Sequence, residues 1–125
     1  MKNREVIIRN YVDGYNEFNV SKMIKDFSDQ IVFENFQDGE VSMTLNGLEE
    51  FKAQAETAKM YFSERQQKIK SFKHEKESTE VEIEYLGVLA MDFPNRMNRG
   101  QRIKLKCKSI FEFKDGKIMK LIDMS

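Results

Sequence analysis

Val81-Glu82-Ile83-Glu84-Tyr85, Ile103-Lys104-Leu105-Lys106-Cys107-Lys108 and Phe111-Glu112-Phe113-Lys114 decide how this chain folds. In each, apolar and charged residues alternate with period two, the mark of a strand with one buried and one polar face. The third run passes through Asp115-Gly116, a hairpin signal, into Ile118-Met119-Lys120-Leu121-Ile122. Glu80, Glu82 and Glu84 share a face, and Lys104, Lys106 and Lys108 lie across from them if the strands pair. Such pairs contribute roughly 0.2–1 kcal/mol each and read as a solvated outer face. The other face carries Val81, Ile83, Tyr85, Ile103, Leu105, Cys107, Ser109, Phe111 and Phe113, and is expected to pack on helices.

Those helices come from the first half of the chain. Ile8, Tyr11, Val12, Tyr15 and Phe18 recur at helical spacing and form one apolar stripe. Gly14 inside it should cost about 1 kcal/mol relative to Ala, which a close approach to a strand would offset. Asn19 is a candidate N-cap for a short second helix faced by Val20, Met23, Ile24 and Phe27. A strand is expected over 31–36, a turn at Asp38-Gly39 and a partner strand over 41–45. Asn46 and Glu49 resemble a capping box for a third helix with the stripe Leu48, Phe51, Ala55, Ala58 and Phe62. Residues 65–76 and 79–91 read as two further strands. The 92–100 segment, with the only proline, reads as a loop. The expected order is helix, helix, strand, strand, helix, four strands, an α+β fold in one domain spanning 1–125.

Composition narrows the function. Hydrophobic residues are 40% and charged residues 34% of 125, which fits a globular domain and argues against disorder. Lys plus Arg equals Asp plus Glu at 21 each, so there is no global charge to attract nucleic acid or an anionic membrane. Only a local basic patch near Arg96, Arg99 and Arg102 remains. After Met1-Lys2-Asn3-Arg4-Glu5 the apolar run is Val6-Ile7-Ile8, too short for a signal peptide or a membrane span. Cys107 has no partner for an internal disulfide, and a cytoplasmic location is expected. One His and one Cys provide no zinc-type ligand set, and the six glycines are isolated rather than gathered into a phosphate loop, so no metal or cofactor is expected.

Three stretches resemble the nuclear transport factor 2-like superfamily, with its SnoaL-like cyclases and ketosteroid isomerases. They are Ile8-Arg9-Asn10-Tyr11-Val12 leading to Phe27-Ser28-Asp29, Leu45-Asn46-Gly47-Leu48-Glu49-Glu50-Phe51, and Phe111-Glu112-Phe113-Lys114-Asp115-Gly116-Lys117-Ile118. The resemblance implies a cone-shaped half-barrel: three N-terminal helices packed on a curved, mostly antiparallel sheet, with a pocket between them and commonly a dimer. It sets Tyr11 where ketosteroid isomerases have an oxyanion-binding tyrosine, Asn35 at their carboxylate base and Ser109 at their protonated acid. An amide has no accessible basic form to abstract a carbon-bound proton, which argues against steroid-isomerase chemistry. SnoaL-like cyclases use a pocket acid, for which Asp123 is the nearest candidate.

The expected function is therefore binding of a small apolar or carbonyl-bearing ligand, with Tyr11, Asn35 and Ser109 orienting it and Tyr15, Phe33 and Tyr85 as walls. Each has a plainer reading. A tyrosine on a buried stripe, or Ser109 between Cys107 and Phe111, is commonly core. His74, among Lys73, Glu75 and Lys76, reads as solvent-exposed, and Cys107 as a small buried hydrophobe. Two alternatives stand. One is an isomerase, dehydratase or cyclase in which Tyr11 stabilises an enolate and Asp123 moves protons. The other is a protein-interaction module using the outer face of the sheet. Leu86, Val88, Ile110, Val32 and Phe36 fall on that outer face, and a homodimer packed sheet to sheet is expected to cover them.

Overall fold

Two Asp-Gly pairs make the sharpest reversals of the chain. Asp38 and Gly39 have φ of 53° and 82°, and Asp115 and Gly116 have 53° and 77°. Positive φ at both central residues is the type I′ geometry, whose twist matches the strands it joins. The first pair connects β1 (Phe27–Gln37) to β2 (Glu40–Asn46), and the second connects β5 (Arg102–Lys114) to β6 (Lys117–Met124). With β3 (Phe62–His74) and β4 (Ser78–Leu89) they form one six-stranded sheet in the order β2-β1-β6-β5-β4-β3. Every pairing is antiparallel except that of β1 with β6. The structure is a computed structural model and describes residues 2–94 and 97–125, the side chain of Lys2 excepted. Arg96, part of the expected basic patch, lies outside the described residues; Arg99 and Arg102 are exposed.

Helices α1 (Lys2–Asn16), α2 (Val20–Met23) and α3 (Leu48–Ala58) cover one face of this curved, unclosed sheet. The architecture is the α+β cone with three helices on a mostly antiparallel sheet. Ile8, Tyr11 and Val12 of the α1 stripe are buried, but Phe18 falls beyond the helix at φ 58°. Asn19 caps α2 as expected, accepting from the Lys22 N–H at 3.1 Å. Gly14 faces α2 rather than a strand: a Cβ there would meet the Met23 backbone N at 2.7 Å. The α3 cap is displaced by one residue. Gly47, at φ 91°, is the N-cap, and Glu50 reaches back to the Asn46 N–H at 2.8 Å. Phe62 belongs to β3, because a 3₁₀ turn over Lys59–Tyr61 ends the helix first.

Ile8, Ile31, Val81, Phe111, Ile118 and Leu121 form the driest part of the core between helices and sheet. Burial of each such side chain contributes about 1.5–3 kcal/mol. Tyr11 is packed into it, stacked on Phe27 at 5.5 Å and edge-on to Phe111 at 5.6 Å. The expected inner face of β4 and β5 holds with one correction. Ile103 is only half-buried and Leu105 is 45% exposed, because they face a cavity rather than packed core. On the outer face Glu82 pairs with Lys108 and Glu84 with Lys106, as the alternation required.

Candidate functional site

One row of residues crosses the sheet: Met43 on β2, Asn35 on β1, Asp123 on β6, Ser109 on β5, Val81 on β4 and Phe72 on β3. Period two turns all of them toward the helices. The parallel pairing of β6 with β1 sets Asp123 beside Asn35, and the antiparallel pairing with β5 sets it beside Ser109. Ser109 Oγ donates to Asp123 Oδ1 at 2.7 Å. Burial outweighs that bond and lifts the Asp123 carboxyl from 3.8 to about 6. Asp123 is deep inside the protein yet keeps part of its surface open to the cavity above it.

Three tyrosines crowd the same cavity. Burial, then the charge of Asp123, raises the Tyr11 phenol well above its ordinary value, so it remains a neutral hydroxyl near the carboxyl. Tyr15 and Tyr85 bond to each other through their hydroxyls at 2.8 Å, and burial raises both. These groups can donate a proton in a hydrogen bond and accept one, but they do not ionise near neutral pH.

Two adjoining cavities fill the cone, of about 440 and 240 Å³, and both touch Tyr15, Asn35, Phe62 and Asp123. Tyr11 and Phe33 line the first, with Met43, Phe51 and Ala55; Tyr85 and Ser109 line the second, with Cys107 and Leu105. Tyr11, Tyr15, Phe33, Asn35, Tyr85, Ser109 and Asp123 thus all border this space. Of two larger depressions elsewhere, one of about 610 Å³ is lined mainly by charged residues such as Lys70, Glu82 and Lys106, and one of about 690 Å³ by a mixture that includes Arg65, Leu86, Val88 and Arg102. Asn35 sits at the rim: its Nδ2 donates to Ser42 Oγ at 2.7 Å, next to the β-bulge that separates Asn35 from Phe36. Among the described residues no group of three or more His, Cys, Asp or Glu could hold a metal ion.

Two polar wall residues carry no sequence signal. Arg65 is 6% exposed; its Nε donates to the Tyr15 carbonyl at 2.8 Å, and its guanidinium lies 3.8 Å from the Tyr15 ring centroid. Gln67, two residues on, lines the smaller cavity. Polar side chains at inward positions broke the alternation of this strand and hid its inner face. His74 is a correction too. It is half-buried, with Nδ1 2.9 Å from Thr79 Oγ1 and Nε2 2.8 Å from Glu5 Oε2, so it ties β3 to α1 rather than standing in solvent. Cys107 is half-buried, with its thiol raised by burial and by Asp123.

The fold recurs among solved structures. A Xanthomonas campestris protein assigned as a polyketide cyclase is 14% identical, with a TM-score of 0.85 over 99% of this chain and 90% of that one. A Mycobacterium tuberculosis LEH-like epoxide hydrolase is 13% identical, with a TM-score of 0.77 over 98% and 82%. A cystatin-fold protein from Novosphingobium aromaticivorans is 15% identical, with a TM-score of 0.79 over 100% and 99%. At such identities the likeness is one of fold. No curated protein matches the chain in sequence. The model of the SnoaL-like domain, however, matches residues 8–121, nearly the whole of the sheet and helices that build the cone. This chain belongs to the SnoaL-like domain family.

Proposed function

We propose that the domain binds a small, mostly apolar molecule inside the cone and orients it through a carbonyl or hydroxyl placed against Asp123. One observation carries this: a buried carboxyl, bonded by Ser109 alone among the described residues, borders a cavity whose walls include the apolar side chains of Phe33, Phe51, Met43 and Ala55. Apolar walls with a few convergent polar groups are the usual form of a ligand site. Tyr11 and Asn35 supply further hydrogen-bonding groups, and Tyr15, Phe33 and Tyr85 shape the walls. Native mass spectrometry of protein purified from cells tests the reading. The wild type should carry a bound small molecule that Asp123→Leu loses; a wild type with an empty cone in every preparation overturns it.

A second reading is favoured by the carboxyl lifted to about 6, close to where a general acid or base works best. On this reading Asp123 moves a proton next to a substrate carbonyl, and the Tyr11 hydroxyl stabilises the oxyanion that develops. Tyr11→Phe should then lower kcat far more than it raises KM. Equal effects on both would remove the catalytic reading and leave the binding one. The proposal includes a homodimer through the outer sheet face, supported by half-buried Val32, Phe36, Val88 and Ile110 and exposed Leu86, and a cytoplasmic place of action.

A further inference from the structure

The two cavities of the cone meet at its polar centre. Of the residues around the larger one, of about 440 Å³, only Tyr15, Asn35, Phe62 and Asp123 also border the smaller one, of about 240 Å³. The Asp123 backbone is paired on both sides, with β1 at Asn35 and with β5 at Ser109, so the surface it keeps open belongs to its side chain. Ser109 bonds Oδ1. The other oxygen, Oδ2, takes no hydrogen bond from the described residues and is not sealed off, so it opens on the cavities. The carboxyl therefore stands at the junction of the two spaces rather than at the far end of either.

Each side of that junction has apolar walls of its own. Phe33, Met43 and Phe51 belong to the larger cavity and not the smaller; Ile83, Leu105 and Cys107 belong to the smaller and not the larger. Phe62 stands where the two meet. Its ring is seated over Gly87, where a Cβ would come within 3.1 Å of it and of the Tyr85 ring, so the missing side chain gives Phe62 its place beside both spaces. A polar group at the end of an apolar chain, set against Oδ2, would send the chain into one cavity and leave the other to water. A polar group within the chain lets both cavities bury hydrocarbon, and each methylene so buried strengthens binding roughly fourfold.

We infer that the cone takes a two-armed ligand, a ketone or secondary alcohol whose oxygen meets Asp123 Oδ2 and whose apolar arms are unequal, the larger in the 440 Å³ cavity and the smaller in the 240 Å³ one. This rests on the binding reading given above and adds where along the molecule the polar group sits. The neutral carboxyl donates to a ketone oxygen, and the carboxylate accepts from a secondary hydroxyl, so the same atom serves both ligands. Aldehydes and primary alcohols carry the group at one end and fill a single cavity. The Tyr15 and Tyr85 hydroxyls are bonded to each other at 2.8 Å, so the smaller arm meets them without stripping a lone polar group of water.

Biphenylyl ketones test this at pH 5, where Asp123 is mostly neutral. The ring system is held constant while the second arm grows from methyl through ethyl and propyl to butyl, and binding is followed by methyl NMR of the protein. Each added carbon should tighten binding roughly fourfold until the smaller cavity is full. The end of the arm should show nuclear Overhauser contacts to the methyls of Ile83 and Leu105. Cys107→Leu, which fills the smaller cavity, should remove the gain per carbon; Ala58→Leu, which narrows the larger one, should weaken the whole series and keep the gain. Affinity that is flat along the wild-type series, a gain that survives Cys107→Leu, or an arm whose contacts run to Met43 and Ala55 overturns the two-armed ligand and leaves the pocket standing. The Overhauser contacts decide the matter if Cys107→Leu does not fold. Binding of none of these ketones overturns the pocket reading, and the two-armed ligand with it.

Discussion

Asp123 is the residue whose protonation the fold controls most directly. Its carboxyl titrates at 3.8 when unfolded and at about 6 when folded, so folding favours the neutral form. Its contribution is fully present below pH 3.8 and is lost as pH rises through about 6. A shift of this size is worth of order 1–2 kcal/mol after allowance for water in the cavity. Asp123→Asn removes the titration, so the variant should gain on the wild type by that amount between pH 4 and 8 in urea melts. No relative gain would mean that the cavity hydrates the carboxylate freely. Glu5, held by His74 below its ordinary value, has the opposite sign, so the difference between the two proteins, rather than either curve, is the readout. Ser109→Ala removes the one group that lowers the Asp123 value, and the carboxyl should titrate higher still when followed by carbon NMR.

At the scale of elements, Gly14 decides how α1 and α2 meet. Ala would gain about 1 kcal/mol of helix propensity at an exposed helical position. Here its Cβ would press on the Met23 N at 2.7 Å and on Lys22 at 3.1 Å, both backbone contacts that no rotamer relieves. Overpacking of this kind costs about 1–3 kcal/mol, so Gly14→Ala should lower the melting temperature despite its better propensity. The β3–β4 hairpin is held to α1 in a different way. Arg4 donates to the carbonyls of Glu75, Lys76 and Ser78, and its guanidinium lies 5.3 Å from the Phe113 ring centroid. Arg4→Met should free the turn and speed amide exchange across 75–78 well before global unfolding. Unchanged exchange there would show that the hairpin stands without the helix.

For the whole molecule the outer face of the sheet sets the open question of assembly. Ile110 and Ile122 are direct cross-strand neighbours there, with Phe36 and Met124 paired in the next row, among the ion pairs Lys120–Glu34 at 3.2 Å and Lys108–Glu80 at 3.6 Å. A sheet-to-sheet homodimer would bury this strip and align charges around it. Sedimentation at micromolar concentration should give twice the 14.8 kDa chain mass, and Ile110→Glu with Ile122→Lys should halve it while the fold persists. A wild-type monomer at that concentration removes the dimer from the proposal.

Much of this architecture is written in local pattern. Alternation placed β1, β2, β4, β5 and β6, the two Asp-Gly pairs placed their hairpins, and helical spacing brought Tyr11 inward, because each depends only on neighbours a few residues apart. The same period of two turned Asn35 and Ser109 toward the cone. Tertiary structure alone decided that residues 35, 109 and 123 stand abreast, since that follows from the parallel pairing of β1 with β6, which no local periodicity encodes. It also decided what Gly14 touches, that Leu105 is half-exposed despite its inward register, and that Arg65 is buried with a nitrogen that has no partner among the described residues. A polar residue in an irregular run reads as surface until the strands beside it are known. Burial is a property of the assembled sheet and helices, and it is burial that turned these side chains into a pocket.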